Sequence, residues 1–240
     1  MSQPNILFIC MDSLRYDNYR KANTPNFDSI GKPQRLHSQS CWTIPSIIGY
    51  LFSRPPIGVK GELFQSNDRT ATHFIPEYYG KRGYVTSFLT SNAFIELCDD
   101  KMSRGISKWF THWRILKYLD DRHHSTSQII TDAIDIVKET DKPVFMFLLL
   151  MDTHTPYYDG TTIYDRSPSS PSENMSAQVR AVSYIDGLIK PLLGAFKDKG
   201  KTVVYVTSDH GEDDKHGHDP MKQAEYTDKL FEIPYVKGVI

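Results

Sequence analysis

Eight consecutive apolar residues, Val144-Phe-Met-Phe-Leu-Leu-Leu-Met151, constrain this chain more than any other feature. The run is too short to cross a bilayer. It is too continuous for a strand with one face in water, and it fits a central parallel strand covered on both faces. Parallel neighbours need crossovers, and the flanking sequence supplies them. Asn5–Cys10 reads as a buried strand ending at Asp12, and Thr202–Thr207 as a β-branched strand followed by Ser208-Asp209-His210-Gly211. Further strands are expected at Tyr84–Leu89 and Ile233–Ile240.

Helical spacing and capping signals fill the gaps. Thr24-Pro25-Asn26-Phe27 opens one helix with Thr24 as its cap. Thr43-Ile44-Pro45-Ser46 opens another that runs to Leu51 and stops at Arg54-Pro55-Pro56. Phe74–Lys81, Thr126–Lys138 and Ala177–Phe196 are the remaining helices, with Gly187 and Pro191 inside the last. Gly160–Glu173, rich in Ser, Thr, Pro and Asp, reads as an exposed loop. The expected fold is α/β: a doubly wound, mostly parallel sheet with helices on both faces. With 240 residues and no internal repeat, residues 1–240 are expected to form a single domain.

In such sheets ligands bind beyond the carboxyl ends of the strands. Three strands deliver Asp or His to that edge: Asp12, then Asp152 and His154, then Asp209 and His210. A carboxylate beside an imidazole suits zinc, manganese or iron better than calcium. Adjacent ligands require a sharp turn, which Gly211 permits. Alone, Asp-His-Gly reads first as a polar strand-end turn; with Asp12 and the histidines downstream the balance reverses and it reads as a metal site. Three histidines fall within His210–His218, of nine in the chain. His216 and His218 are thus candidates for a metal or a phosphate, while His37, His112, His123 and His124 have no assigned role.

Thr43 precedes a helix start, where free N–H groups favour an anion. It is either an N-terminal cap or a hydroxyl that a divalent metal activates for attack on phosphorus. His154 sits before Thr155-Pro156 in an extended loop that could aim its ring at an oxyanion. Arg15 could reach a phosphate or brace Asp12, or pair with Asp17 at the surface. Tyr157 and Tyr158 could stack on a substrate group or pack in the core.

The 28 basic and 29 acidic residues nearly cancel, so no nucleic-acid or anionic-membrane partner is expected. The three cysteines, Cys10, Cys41 and Cys98, show no paired spacing, against a disulfide framework or a structural zinc site. The N-terminus lacks a signal peptide's basic start and long apolar region. A cytoplasmic location and no membrane segment are expected. Oligomeric state is not readable.

In order along the chain, PNILFICMDSLRYD, TPNFDSI, SCWTIPS, LLMDTHTPYY, YIDGLIKPLL and VVYVTSDHGE…HGH…IPYV resemble the landmarks of the alkaline phosphatase superfamily, in its sulfatase-like branch. The resemblance implies an alkaline phosphatase-like core with a metal held by Asp12, Thr43, Asp209 and His210. Sulfatases make a formylglycine nucleophile in Cys-x-Pro-Ser-Arg; here the residue two before Pro45 is Thr43, and Ile47 stands at the Arg position. Threonine there resembles phosphoethanolamine and glycerol-phosphate transferases and nucleotide pyrophosphatase-type diesterases, which act through a phosphothreonine. Sulfatases commonly pair two aspartates after the first strand; Met11-Asp12 has one, which moves the expected ion towards zinc or manganese, with magnesium or calcium as alternatives. One or two ions are expected, with Asp152, His154, His216 and His218 as possible ligands of a second metal or of the substrate phosphate. The C-terminal subdomain is expected to be reduced or absent.

The resemblance thus implies a metal-dependent phosphoric ester hydrolase or phosphotransferase acting on a small phosphate ester, with Thr43, His154 and Arg15 as catalytic candidates. The alternatives are a sulfatase, or a non-catalytic binding or scaffold domain that keeps the fold.

Overall fold

The computed structural model describes residues 3–52, 74–92, 94–95, 106–116, 126–165, 170–213 and 227–240. Among them, β1 (Asn5–Met11), β2 (Gln34–His37), β3 (Val85–Thr90), β4 (His112–Ile115), β5 (Val144–Leu150), β8 (Thr202–Ser208) and β9 (Glu232–Val239) form one sheet. Its order is β2-β9-β8-β1-β5-β3-β4. The five strands from β8 to β4 are parallel, and β9 and β2 join antiparallel at one edge. The apolar run is β5, flanked by β1 and β3 and buried on both faces throughout.

Side-chain alternation divides the core in two. Leu7, Ile9 and Met11 of β1 and Val144, Met146, Leu148 and Leu150 of β5 face α5 (Thr126–Glu139) and α6 (Pro171–Lys199). Ile6, Phe8 and Cys10 with Phe145, Phe147 and Leu149 face α3 (Thr43–Phe52) and α4 (Ile75–Gly80). The sheet is doubly wound, with helices on both faces.

One row on the α3 face is aromatic. Tyr205, Phe8, Phe147, Phe88 and Trp113 are successive register partners across β8, β1, β5, β3 and β4. Their rings stack at centroid distances of 5.8, 4.7, 5.3 and 4.7 Å. Lys237 of β9, the register partner of Tyr205, lays its ammonium over that ring at 5.3 Å.

Several expectations are corrected. β2 and β4 were not anticipated, because both are short and carry little buried apolar surface. The Gly160–Glu173 segment is not all loop: Ile163–Tyr164 (β7) pairs with Tyr157–Tyr158 (β6), and α6 begins at Pro171. That helix continues through Gly187 and Pro191 to Lys199. Thr24 does not cap α2 (Pro25–Asp28) with its side chain; its hydroxyl bonds Asp28. Asp186 of α6 does the capping, accepting the N–H groups of Asn26 and Phe27 at 3.2 and 2.8 Å and the Asn26 amide at 2.9 Å. The Arg54-Pro55-Pro56 stop, Cys98, His123 and His124 lie outside the described residues. Among the described residues no helix is long and apolar enough to cross a membrane.

Candidate metal centre

The carboxyl ends of β1 and β8 lie side by side, since Met11 and Ser208 are register partners. The next residues, Asp12 and Asp209, emerge together, and His210 follows. Each of the three offers one ligand atom, all within 4.8 Å of one another, and all three side chains are fully buried. Thr43, first residue of α3, brings its Oγ1 to 3.3 Å from Asp12 Oδ2 and 3.4 Å from His210 Nε2. The structure thus unites the four residues expected around one metal.

The surroundings fix each group. Ser13 adopts the left-handed conformation, with φ of 61°, at a cost of about 1–2 kcal/mol. That turn directs its N–H to Asp209 Oδ1 at 3.0 Å, while its hydroxyl bonds Asp12 Oδ1 at 3.0 Å. The buried Gln178 of α6 donates to the carbonyls of Ser13 and Thr153 and accepts from the Arg15 N–H and the Asn18 amide. It clamps the loop after β1 to the loop after β5. Tyr50 of α3 donates to the Ser208 carbonyl at 2.6 Å, which ties the helix bearing Thr43 to the end of β8.

His210 Nδ1 lies 2.7 Å from the Gly211 carbonyl. A carbonyl only accepts, so Nδ1 carries a proton, and the other ring nitrogen, Nε2, faces inward, where its lone pair would be the metal ligand. That lone pair lies 3.4 Å from Asp209 Oδ2 and 3.8 Å from Asp12 Oδ1. Asp209 Oδ2 is buried and accepts no hydrogen bond among the described residues. Desolvation, then the Asp12 charge, pushes the Asp209 carboxyl up to about 6. Lone pairs converging on one buried point repel one another unless a cation lies between them. Zinc bonds of about 2.1 Å in a tetrahedral shell separate neighbouring ligand atoms by roughly 3.4 Å, which matches these spacings. The donor set therefore fits a divalent cation.

Gly211 serves differently from the expectation. It is not among the residues of positive φ. A Cβ there would meet the Lys229 carbonyl oxygen at 2.2 Å, and its N–H bonds the Leu230 carbonyl at 2.6 Å. Close approach of two backbones, not a special turn, demands glycine.

The second cluster does not assemble among the described residues. Strand parity places Asp152 on the face of Leu148 and Leu150, opposite the Asp12 face, and it accepts the Thr126 hydroxyl of α5. Burial pushes its carboxyl up to about 7. His154 lies in the loop after β5, its Nδ1 against the Thr155 carbonyl. Neither joins Asp12, Asp209 and His210; His216 and His218 lie outside the described residues. Arg15 makes the expected pair with Asp17, through Nε at 2.8 Å and Nη2 at 2.6 Å; the guanidinium is buried and the Asp17 carboxylate is partly exposed. Tyr157 is buried and donates to Glu212.

The sequence reading missed one contact to the centre. Asn92, two residues past β3, donates its amide to Asp12 Oδ2 at 3.2 Å. The available signal was its offset: Asn92 stands four residues after Phe88, as Asp12 stands four after Phe8 and Asp209 four after Tyr205.

A family model described as Sulfatase matches residues 4–237. No curated protein sequence matches the chain. Among solved structures, the C-terminal periplasmic domain of EcEptC from Escherichia coli, in complex with Zn, is similar with a TM-score of 0.70 at 14% identity, over 99% of this chain and 73% of that one. The lipoteichoic acid synthase LtaP from Listeria monocytogenes is similar with a TM-score of 0.70 at 18% identity, over 98% of this chain and 65% of that one. The C-terminal periplasmic domain of the phosphoethanolamine transferase EptC from Campylobacter jejuni has a TM-score of 0.70 at 14% identity, over 100% and 80%. The likeness is one of fold, and it lends no support to the expected cytoplasmic location.

Proposed function

The chain belongs to the sulfatase family, and from that premise we propose that it is a metal-dependent phosphoric ester hydrolase or phosphotransferase that works through a phosphothreonine at Thr43. One observation carries the reading: the Thr43 hydroxyl stands within 3.4 Å of both Asp12 and His210, at the start of a helix. The likeness to a phosphoethanolamine transferase and a lipoteichoic acid synthase agrees with a phosphate ester as substrate.

Asp12, Asp209, His210 and Thr43 would hold the metal, zinc or manganese by their donor chemistry. When bound, the ion supplies positive charge that favours the ionised hydroxyl and offsets charge on phosphoryl oxygens. Asp12 Oδ2 accepts the Thr43 hydroxyl and so orients the attacking lone pair away from itself. Thr43 Oγ1 gives its proton to Asp12 Oδ2 and bonds to phosphorus as the ester oxygen departs with its electron pair. N–H groups of the first turn of α3 face the phosphoryl oxygens. His154 gives the departing oxygen a proton; the Thr153 hydroxyl bonds the Asp12 carbonyl at 2.7 Å and holds that loop beside β1. Water or an acceptor hydroxyl, its proton taken by His154, then attacks phosphorus; the bond to Thr43 breaks and the Thr43 oxygen takes its proton back from Asp12.

The experiment compares turnover of an aryl phosphate monoester, a phosphodiester and an aryl sulfate by zinc-loaded protein. Phosphate-ester turnover with little sulfate turnover is expected. Strong sulfate turnover with weak phosphate turnover overturns the proposal in favour of a sulfatase, and no turnover of any favours the scaffold.

A further inference from the structure

Asp12 has two carboxylate oxygens with different neighbours. Oδ1 takes the Ser13 hydroxyl, while Oδ2 takes the Thr43 hydroxyl and the Asn92 amide. The amide's orientation is fixed on the other side. Asn92 Oδ1 accepts the Phe94 N–H at 3.0 Å, so Nδ2 must face Asp12. Its own N–H is held by Thr90 Oγ1 at 3.0 Å, and the side chain is 7 % exposed. The fold explains why the two meet. Phe8 and Phe88 each partner Phe147 in the aromatic row, so they lie at one height in β1 and β3. Four residues on, Asp12 and Asn92 reach one level beyond the sheet, across the end of β5.

We infer that Asn92 is a positioning residue: its amide holds Asp12 in the rotation that presents a carboxylate oxygen to the cation and to the Thr43 hydroxyl together. The inference rests on the proposed metal centre and extends it to a third strand end. Without the amide, Asp12 Oδ2 loses one of the hydrogen bonds that fix the rotation of the carboxylate. Outer-shell partners of this kind change metal affinity about 10- to 100-fold when removed.

The test is zinc affinity, measured by chelator competition on the full chain. Asn92→Ser keeps an oxygen for the Phe94 N–H but is too short to reach Asp12; Asn92→Ala removes both contacts. Thr90→Val removes the acceptor that holds the same loop and leaves the amide, so it reports loop disturbance alone. Far-UV circular dichroism of the metal-free variants checks folding. The expected result is zinc binding weakened about 10- to 100-fold by both Asn92 substitutions and under about threefold by Thr90→Val. Wild-type affinity in Asn92→Ser, or an equal loss in Thr90→Val, overturns the inference while leaving the metal centre standing. A wild-type chain that takes up no zinc or manganese overturns the metal centre and the inference together.

Discussion

The hydroxyl of Thr43 lies 3.3 Å from Oδ2 of Asp12, across 31 positions of sequence. The contact joins the end of the central strand β1 to the start of α3. Removing the hydroxyl should remove the proposed nucleophile and one of the four proposed metal ligands while leaving the fold in place. Thr43→Ala is expected to lower kcat by at least about a thousandfold, while its thermal midpoint stays within a few degrees. Thr43→Ser, which keeps a hydroxyl, should retain measurable turnover. Steady-state kinetics with both variants decide it; undiminished turnover in Thr43→Ala would rule out the nucleophile.

Stability of the metal-free protein should depend on pH through two buried carboxyls. Asp209 and Asp152 are raised from the ordinary 3.8 to about 6 and about 7, in each case chiefly by desolvation. The folded state therefore binds these protons more tightly than the unfolded chain, and stability falls as pH rises from about 4 to about 7. Asp159, lowered to about 2 by bonds from Thr161, Thr162 and Tyr164, acts only below that window. Zinc should offset the Asp209 contribution, so its effect on the thermal midpoint should be larger near pH 7.5 than near pH 5. Calorimetry with zinc or with chelator at about both pH values checks this; an equal effect at both would contradict it.

Gly211→Ala should damage the metal centre without touching a ligand. The new methyl group would meet the Lys229 carbonyl oxygen at 2.2 Å, and backbone atoms cannot yield as a side chain would. His210, one residue earlier, must then shift. Zinc affinity is expected to drop about tenfold or more, with a loss of roughly 1–3 kcal/mol in denaturant unfolding. Wild-type values in both measurements would show that the Lys229 segment gives way freely.

Asp186→Ala should cost stability far from the chemistry. Its carboxylate receives three N–H bonds from Asn26 and Phe27 and fastens α2 to α6. The Phe27 N–H is left buried without its acceptor. A loss of about 2–3 kcal/mol is expected by urea titration, with KM unchanged in the cold. An unchanged urea midpoint would mean that α2 is held by its apolar contacts alone.

What the sequence disclosed follows from where apolar residues crowd. β1, β5 and β8 are buried and continuous, so their strands, and the acids just past their ends, could be read directly. Edge strands escape because β2 is exposed at all four residues and β4 is fully buried at none. The start of α6 was hidden in a Ser- and Pro-rich stretch whose composition favours a loop. Asp12, Thr43, Asp209 and His210 were legible because strand ends and a helix start mark them. Asp152 shared the same mark, yet its odd offset from Phe147 sends it to the opposite face. Asn92 carried no motif; only its register with Phe88 reveals it.

The stacked row from Tyr205 to Trp113 has a consequence for observing this protein. Neighbouring rings lie within 6 Å on fixed planes, so Tyr205 and Trp113 at its ends should contribute to the near-ultraviolet dichroism of the folded chain. A one-residue slip of any strand would replace the ring with a side chain of the other face. The chain thus carries an intrinsic optical gauge of strand alignment, readable before any label is attached.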